Sequence, residues 1–367
     1  MGMGMSEVLI GKIEIAAFTI PTDAPEADGT LAWDSTTLVL AEIQAGGQTG
    51  TGYTYAHAAA ASMAKHLAET CLQGKHAFDI PALHAAMLGK VRNNGQQGIC
   101  AMAISALDVA LWDLKARLLD VPLAKLLGQR RSSVEAYGSG GFTSYSNDQL
   151  RAQLGGWAGA GLRSVKMKIG SEPEQDPHRV RVAREAIGPD TELFVDANGA
   201  YSTRQAIAMA NSFAEQGVVW FEEPVSSDYL AEMSRVRTAV SSRMDIAAGE
   251  YGYDARYFRH ILHAGAVDVL QMDATRCLGF TGFLQGAAIA ASFGCPTSAH
   301  CAPSLHMHVG CSVEGFRNVE YFHDHVRIEQ MLFDGFEPQR DGRLTPDLSA
   351  PGMGLTFKHK DAKQYAV

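Results

Sequence analysis

The sequence predicts an α/β protein in which a TIM-type barrel follows an α+β N-terminal unit. First, from Val134 onward, apolar runs typical of buried strands alternate with helical patterns over about 190 residues. Second, three of these runs end on an acidic residue at spacings of 26 and 28 residues, close to the length of one βα unit. Third, residues 7–55 show strands joined by turns instead, which separates the two regions.

The N-terminal region, residues 1–130, predicts a meander of strands followed by helices. Thr36–Ile43 reads as a strand that returns through a hairpin-type turn at Ala45-Gly46-Gly47. The polar segment Pro21–Trp33 predicts a loop longer than a connection requires, so it is either a lid or a flexible insert. Helical spacing of apolar residues follows over three ranges: 58–72, 81–91 and 98–119.

Residues 131–333 predict the barrel, with strands and helices in alternation. The predicted strands are 134–137, 163–169, 192–195, 217–221, 245–248, 267–272, 296–299 and 318–321. The predicted helices between them include 175–187, 203–215, 227–240, 255–264 and 282–293. The tail, about 334–367, is rich in Gly, Pro and Asp and is expected to pack back on the N-terminal unit.

Composition excludes several function classes. The chain has 367 residues, 46% of them hydrophobic, which is enough to bury a large core. The net charge is −9 and no Lys/Arg block occurs, so neither nucleic acid nor a membrane surface is an expected partner. Six cysteines without a CxxC pair or a disulfide framework suit a reducing cytoplasm. The start, Met1-Gly2-Met3-Gly4-Met5, has neither the basic nor the apolar region of a signal peptide.

Three carboxylates are predicted to converge at one end of the barrel. Asp196, Glu222 and Glu250 each follow a buried apolar run. The carboxyl ends of parallel barrel strands meet at one face, where unpaired acids would repel each other. A divalent cation removes that repulsion, and all-oxygen ligands suit Mg²⁺. The alternative is that each acid caps the helix that follows its strand.

Two lysines lie on the second predicted barrel strand. Lys166 and Lys168 flank Met167, so both side chains face the same side of the strand. Inside the barrel, like charge and burial would lower a Lys pKa and allow one of them to act as a base. The alternative is a solvent-facing pair on an exposed strand edge.

A second base is predicted on the opposite wall. Asp273 and His300 end the sixth and seventh strands, and a carboxylate one strand away can accept a ring N–H and raise the basicity of the imidazole. His306 and His308 compete for this role but fall in the following helical segment. Glu320 ends the eighth strand, where a protonated carboxyl could donate to a developing oxyanion.

These residues resemble the enolase superfamily, and within it the mandelate racemase subgroup. The helix near Ala103–Gly128 adds a second resemblance, through Ser105-Ala106-Leu107-Asp108 and the later Leu126-Leu127-Gly128. The motifs that carry the first are Lys166-x-Lys168, Asp196-x-Asn198, Glu222-Glu223-Pro224, Gly249-Glu250, Asp273, His300 and Glu320.

The resemblance implies a (β/α)7β barrel beneath a capping domain formed by residues 1–130 and the tail. The Pro21–Trp33 loop and the Gly52–His57 turn would close the site from above. A homo-oligomer is expected. Candidate substrate-binding residues are Trp33, Tyr53, Tyr55, His57, Ser139 and Asn198.

The resemblance also implies a reaction. Mg²⁺ on Asp196, Glu222 and Glu250 would stabilise an enediolate formed by loss of the proton α to a carboxylate. Lys166 and Glu320 would donate to the same oxygens, and Lys168 and His300, the latter oriented by Asp273, would serve the two faces. Acid-sugar dehydration to a 2-keto-3-deoxy acid is the expected outcome, and 2-hydroxy-acid racemisation or epimerisation is the alternative.

Two readings from other classes stay open. Lys168 could form a Schiff base in an aldolase, which leaves the three carboxylates unexplained. A non-catalytic metal-binding protein is the other, although every catalytic position of the family is filled. The small-molecule substrate is expected to be a polyhydroxylated acid, because the Pro21–Trp33 segment is mostly polar and small.

Overall fold

A computed structural model describes residues 8–367, so the expectation for the first five residues lies outside the described chain. Its central feature is a closed barrel of eight parallel strands, β4 to β11, in which β11 also pairs with β4. The predicted TIM-type barrel is therefore confirmed. The strands are β4 (Val134–Gly140), β5 (Ser164–Lys168), β6 (Glu192–Asp196), β7 (Val218–Glu222), β8 (Asp245–Ala248), β9 (Val269–Met272), β10 (Thr297–Ala299) and β11 (Phe316–Phe322).

One helix follows each of the first seven barrel strands, which gives the (β/α)7β order. Apolar residues on each helix pack against the strands, as Phe258 and Ile261 do in the helix after β8. The helices are α5 (Asn147–Gly159), α6 (Asp176–Ile187), α7 (Thr203–Ala214), α8 (Leu230–Ala239), α9 (Ala255–His263), α10 (Gly279–Ser292) and α11 (Pro303–Gly310), with α12 (His323–Leu332) after β11.

The N-terminal unit is a three-stranded antiparallel sheet and a helical layer. The strands are β1 (Ile13–Ala27), β2 (Ala32–Ala45) and β3 (Gln48–Tyr55), in that order. The helices are α1 (Ala59–Leu67), a π-helical turn (Ala68–Leu72), α2 (Ile80–Val91), α3 (Ile99–Leu118) and α4 (Leu123–Leu126).

The segment predicted as a loop, Pro21–Trp33, is a β-hairpin instead. β1 continues to Ala27 and pairs with β2, and only residues 28–31 form the turn. The register shifts between Pro21 and Glu26. β1 is an edge strand, so one side of it has no partner strand. The two prolines of the segment are tolerated there, because a missing backbone N–H on the open side breaks no hydrogen bond of the sheet.

The sheet and α3 approach each other closely because two glycines of β3 face the helix. A Cβ on Gly52 would lie 2.2 Å from the carbonyl oxygen of Ala106, and one on Gly50 would lie 2.3 Å from that of Ala110. The absence of side chains at these two positions therefore lets β3 pack directly against the backbone of α3.

The lower half of the barrel interior is filled by large side chains. Phe194 and Trp220 stack with ring centroids 4.9 Å apart, and Tyr137 packs edge-on to Phe194. Gln271 joins this layer to the charged layer above it, since its Nε2 donates to Tyr137 and to Glu222. The carboxyl end of the barrel is therefore closed from below by a layer of packed side chains.

The tail contacts both units. β13 (Arg343–Leu344) pairs with β4 of the barrel, whereas β14 (Thr356–Phe357) pairs with β12 (Phe333–Asp334). Beyond β14, a short helix α13 (His359–Ala362) leads to a bridge between Phe18 and Ala366. The tail was expected to pack on the N-terminal unit, which its end does through Phe18, and its middle part also extends the barrel sheet.

Candidate active site

Asp196, Glu222 and Glu250 meet at the carboxyl end of the barrel. Asp196 and Glu222 are the last residues of β6 and β7 and are paired neighbours in the sheet, and Glu250 follows β8. All three side chains are buried, and one oxygen from each lies within 4.8 Å of the others. The strand-end spacing read from the sequence thus brings them together.

The donor set fits Mg²⁺. Three carboxylates supply only oxygen atoms, which hard divalent cations prefer. Glu250 Oε2 is buried and accepts no hydrogen bond from the described residues. Burial raises the pKa of Glu222 against the opposing charge of Lys166, and the neighbouring carboxylates Asp196 and Glu320 raise it further, as expected where acids crowd together.

Both lysines point into this cluster. Lys166 Nζ lies 2.5 Å from Glu222 and 2.7 Å from Glu320, and Lys168 Nζ donates to Asp196 at 2.5 Å. Burial lowers the pKa of Lys168, but Asp196 outweighs it, so the pKa lies above its ordinary value. Burial lowers the pKa of Lys166 as well, but Glu222 and Glu320 outweigh it and hold the pKa above its ordinary value. The lowered lysine pKa that the sequence predicted is wrong in this charge state, because the nearest neighbours of each ammonium group are carboxylates and not the other ammonium group.

Asp273 orients His300 as the sequence suggested. His300 Nδ1 lies 2.8 Å from Asp273 Oδ2, and Nε2 is left facing the cavity, 3.3 Å from Glu250 Oε2. Burial raises the pKa of Asp273, but the hydrogen bond and charge of His300 reverse this and hold it well below its usual range. His306 is excluded as a competitor because its nitrogens contact the Cys301 carbonyl and the Ala274 amide.

The pKa of Glu320 lies below its usual range, which runs against the expectation of a protonated donor. Burial raises its pKa, but Lys166 and His300 outweigh burial and hold the pKa well below its usual range. The carboxylate accepts from the Ser139 hydroxyl at 2.6 Å and from the Cys301 amide at 3.1 Å. Glu320 therefore pairs with Lys166 in this structure, and its role as a donor to a substrate oxygen stays a prediction.

The site opens into a cavity of about 510 Å³ between the barrel and the N-terminal sheet. Four predicted substrate-binding residues line it: Trp33, Tyr55, His57 and Asn198. Leu31 also lines it, so the hairpin is less polar on this side than the sequence indicated.

Two predicted substrate-binding residues are not on the cavity wall. Tyr53 is fully buried and donates its hydroxyl to Glu329 at 2.7 Å, beneath the sheet. Ser139 is buried as well, with its hydroxyl on Glu320. Tyr53 and Tyr55 share one face of β3, but Tyr55 lies at the end of the strand beside the cavity, whereas Tyr53 lies two residues farther from it.

Sequence reasoning missed several residues at the site. Arg276 reaches Glu250 at 3.2 Å and Asp273 at 3.6 Å, and its guanidinium lies over the Tyr251 ring. Cys301 Sγ lies 3.2 Å from His300 Nε2. Each follows a strand-end acid or base within three positions, which is the signal that could have found them.

Comparison with known proteins identifies the family. Residues 13–128 match the family described as mandelate racemase/muconate lactonizing enzyme, N-terminal domain, and residues 149–362 match the enolase C-terminal domain-like family. The chain belongs to the mandelate racemase/muconate lactonizing enzyme family of the enolase superfamily.

Solved structures and curated relatives agree with this membership. A mandelate racemase/muconate lactonizing enzyme-like protein from Rubrobacter xylanophilus is 48% identical, with a TM-score of 0.96 over 98% of this chain and 100% of that chain. A racemase from Streptomyces coelicolor A3(2) with bound magnesium is 29% identical, with a TM-score of 0.92 over 98% and 100% of the two chains. L-talarate/galactarate dehydratase from Salmonella typhimurium is 31% identical over 88% of this chain and 81% of its own length.

The family relatives define the chemistry in outline. They include arabinonate and D-gluconate dehydratases, but also D-galactarolactone cycloisomerase and a hydrophobic dipeptide epimerase. The chain is an enzyme of this superfamily, and Mg²⁺ is its cofactor. No described helix is long and apolar enough to cross a membrane.

Proposed function

We propose that the enzyme removes the proton α to the carboxylate of a sugar acid and dehydrates the acid to a 2-keto-3-deoxy acid. The observation that carries this proposal is a pair of bases that face one cavity from two barrel strands that are not neighbours. Lys168 projects from β5 and His300 from the end of β10, and both line the cavity together with Glu250.

Asp196, Glu222 and Glu250 would hold Mg²⁺, which when bound supplies Lewis-acid stabilisation of negative charge on a substrate carboxylate. Lys166 places a buried ammonium beside the same carboxylates, and its contacts with Glu222 and Glu320 prevent it from turning away. The ammonium group is thus oriented before the substrate binds. Electrostatic stabilisation is most effective when the charged group needs no such rearrangement during the reaction.

His300 and Lys168 would move the protons. Asp273 accepts from His300 Nδ1, so Nε2 is the nitrogen that can accept a proton from the α-carbon or give one to a β-hydroxyl leaving group. Lys168 serves the other face. A syn or anti loss of water then depends on which face carries the leaving hydroxyl.

Hydroxyl-bearing side chains favour a polyhydroxylated substrate. Ser35, Thr36 and Thr37 of β2 line the cavity beside His57. Such groups pair with substrate hydroxyls and leave a deoxygenated analogue with unpaired partners, which costs up to about 10⁴–10⁵-fold in specificity.

A racemase or epimerase is the second candidate. It is favoured by the same two bases, since a proton removed on one face can be returned on the other. One experiment separates the two. Sugar acids and 2-hydroxy acids are incubated with the Mg²⁺-loaded enzyme in D₂O, and 2-keto acid formation and α-deuterium are both measured. Formation of a 2-keto acid from a sugar acid supports dehydration. Incorporation of deuterium with inversion of configuration, and without any keto acid, would contradict dehydration and support racemisation or epimerisation.

A further inference from the structure

We infer that the cavity accepts sugar acids with a single carboxylate, the aldonates, and discriminates against diacids, the aldarates. This inference rests on the proposed function, because it concerns the end of a sugar acid that lies away from the reacting carboxylate. It differs from what the name of the Salmonella relative says of that protein, which acts on two diacids.

The cavity has two chemically different walls. The barrel wall presents Lys168, Glu250 and His300, and the fully buried Asp196, Glu222 and Lys166 lie behind it. The opposite wall belongs to the N-terminal unit and consists of the hairpin turn, the start of β2 and the segment after β3. A chain of six carbons anchored at the barrel wall extends toward this second wall.

The second wall holds no permanent cation among the described residues that line the cavity. Its lining residues are Ser35, Thr36, Thr37, Asp28 and His57; the Ser35 hydroxyl lies 3.1 Å from Asp34, and the Thr37 hydroxyl lies 2.8 Å from that of Thr19. Hydroxyls pair well with the alcohol groups of an aldonate. A carboxylate is ordinarily recognised by an Arg fork or a Lys, which this wall does not offer.

His57 does not replace the missing cation. Its Nδ1 accepts a hydrogen bond from the backbone N–H of Ala59 at 3.1 Å, so only Nε2 is left to meet a ligand. One such atom can pair with a terminal hydroxyl, whereas a carboxylate is best matched by a two-pronged donor.

The two cations that do line the cavity are already paired. Lys168 donates to Asp196, and Arg276 contacts Glu250 at 3.2 Å and Asp273 at 3.6 Å. Both lie at the barrel wall. A distal carboxylate would have to pull Arg276 away from two buried carboxylates, and that exchange leaves those two charges unpaired.

Asp28 makes a second carboxylate still less favourable. Its Oδ1 accepts from the backbone amides of Thr30 and Leu31, which fixes the side chain at the hairpin turn. An aldarate would bring its distal charge toward this acid. We therefore expect kcat/KM for an aldarate to be at least about 10²-fold below that of the aldonate of the same configuration, the order expected when a buried polar group lacks its partner.

The test uses matched pairs of hexonates and hexarates that share the configuration of their stereocentres. Keto-acid formation and isothermal titration are both measured on the Mg²⁺-loaded enzyme, so that binding is read even for a pair that is not turned over. Preference for the aldonate in both measurements supports the inference. A preferred aldarate overturns it while the dehydration proposal stands. Aldonates that bind more tightly than aldarates without any turnover support the inference and contradict the proposed reaction. Equal or absent binding of both classes overturns the inference.

A charge-gain variant provides an independent test. Ser35→Arg places a guanidinium on the second wall and is expected to raise the aldarate-to-aldonate ratio of kcat/KM at least about tenfold. Ser349→Arg, an exposed position in the tail, is the matched control for net charge. An unchanged ratio in Ser35→Arg, with aldonate turnover retained, would show that the distal group does not reach β2 and would overturn the assignment of this wall.

Discussion

Lys166 is completely buried, and its ammonium group lies within 3.4 Å of three carboxylates. Its charge is thus held by Asp196, Glu222 and Glu320 and is not available for release at neutral pH in this charge state. Lys168 has one such partner, lies on the cavity wall and is slightly exposed. Of the two lysines, Lys168 is therefore the better base and Lys166 the better electrostatic anchor.

The two proposed bases can be separated by isotope exchange. Lys168→Ala and His300→Asn each remove the group that serves one face, so one variant is expected to lose solvent deuterium exchange at the α-carbon and the other to keep it. The loss should be about 10²–10⁴-fold, the usual contribution of a general base. Exchange is followed by NMR in D₂O. Wild-type exchange in both variants would contradict the two-base assignment.

The single residues that sequence reasoning located are those fixed by strand ends. Asp196, Glu222, Glu250, Asp273 and His300 were found because a buried apolar run ends at or beside each of them. The lowered pKa of Glu320 was not predictable, since it depends on distances to Lys166 and His300 across the barrel. The placement of Tyr53 and Ser139 failed for the same reason: sequence does not show which partner a buried hydroxyl meets.

At the scale of elements, the hairpin formed by Pro21–Trp33 is docked on the barrel through ionisable groups. Asp23 of β1 lies 3.0 Å from His323 Nε2, and Arg327 of α12 donates to the Pro21 carbonyl at 2.6 Å. Glu26 is buried beneath the hairpin and accepts from Trp33 Nε1 at 2.8 Å. The hairpin was predicted as a loop because its prolines mask the strand pattern.

The hairpin should therefore lose stability as the pH rises. Burial and the neighbouring Asp324 raise the pKa of Glu26 from 4.5 to about 8, against the opposing effects of Trp33 and Arg327. The folded state thus retains a proton that the unfolded chain releases near pH 4.5, so the stability that Glu26 contributes is fully present below that pH and is lost as the pH rises to about 8.

Glu26→Gln removes this titration while keeping an acceptor for Trp33. The variant is expected to be more stable than wild type by about 1–2 kcal/mol at pH 8.5 and to lose that advantage near pH 4.5. Urea unfolding at both pH values measures it. Glu14→Gln, an exposed acid on the same strand, is the control. A constant difference between Glu26→Gln and wild type at all pH values would rule out a titrating Glu26.

The contact between β3 and α3 gives a second prediction at this scale. Gly52→Ala forces a methyl group against the Ala106 and Ala110 backbone, and is expected to destabilise the protein by about 1–3 kcal/mol or more. Gly89→Ala in α2 meets nothing within 4 Å and is expected to be neutral or stabilising by up to about 1 kcal/mol. Equal effects in urea unfolding would mean that the close approach is not energetically important.

At the scale of the whole molecule, alternation of strands and helices was enough to predict the barrel. Seven βα units with one repeated length leave few other closed arrangements. The course of the tail was not predictable, because β12, β13 and β14 contain two residues each and have no periodicity to detect. Their pairing is set by the surfaces that the barrel and the sheet already present.

The metal site should couple to the stability of the whole fold. A ligand that binds only the folded state at a hundredfold excess over its Kd stabilises it by about 2.7 kcal/mol. Mg²⁺ is therefore expected to raise the Tm of the EDTA-treated protein by a few degrees, and Glu222→Gln to abolish both this shift and activity. Glu192→Gln, a carboxylate at the opposite end of β6, should keep both. Full activity in excess EDTA would contradict the assignment.

The bridge between Phe18 and Ala366 and the hydrogen bond from Val367 to Ala17 join residues almost 350 positions apart. On the ribosome, β1 is made first, but these partners emerge only after the last barrel strand. The nascent hairpin therefore waits with one edge unpaired while the barrel is synthesised. The hairpin then reaches its final position over the cavity late in the biogenesis of the enzyme. A chain released before its last residues are made would therefore have a barrel whose hairpin lacks these contacts.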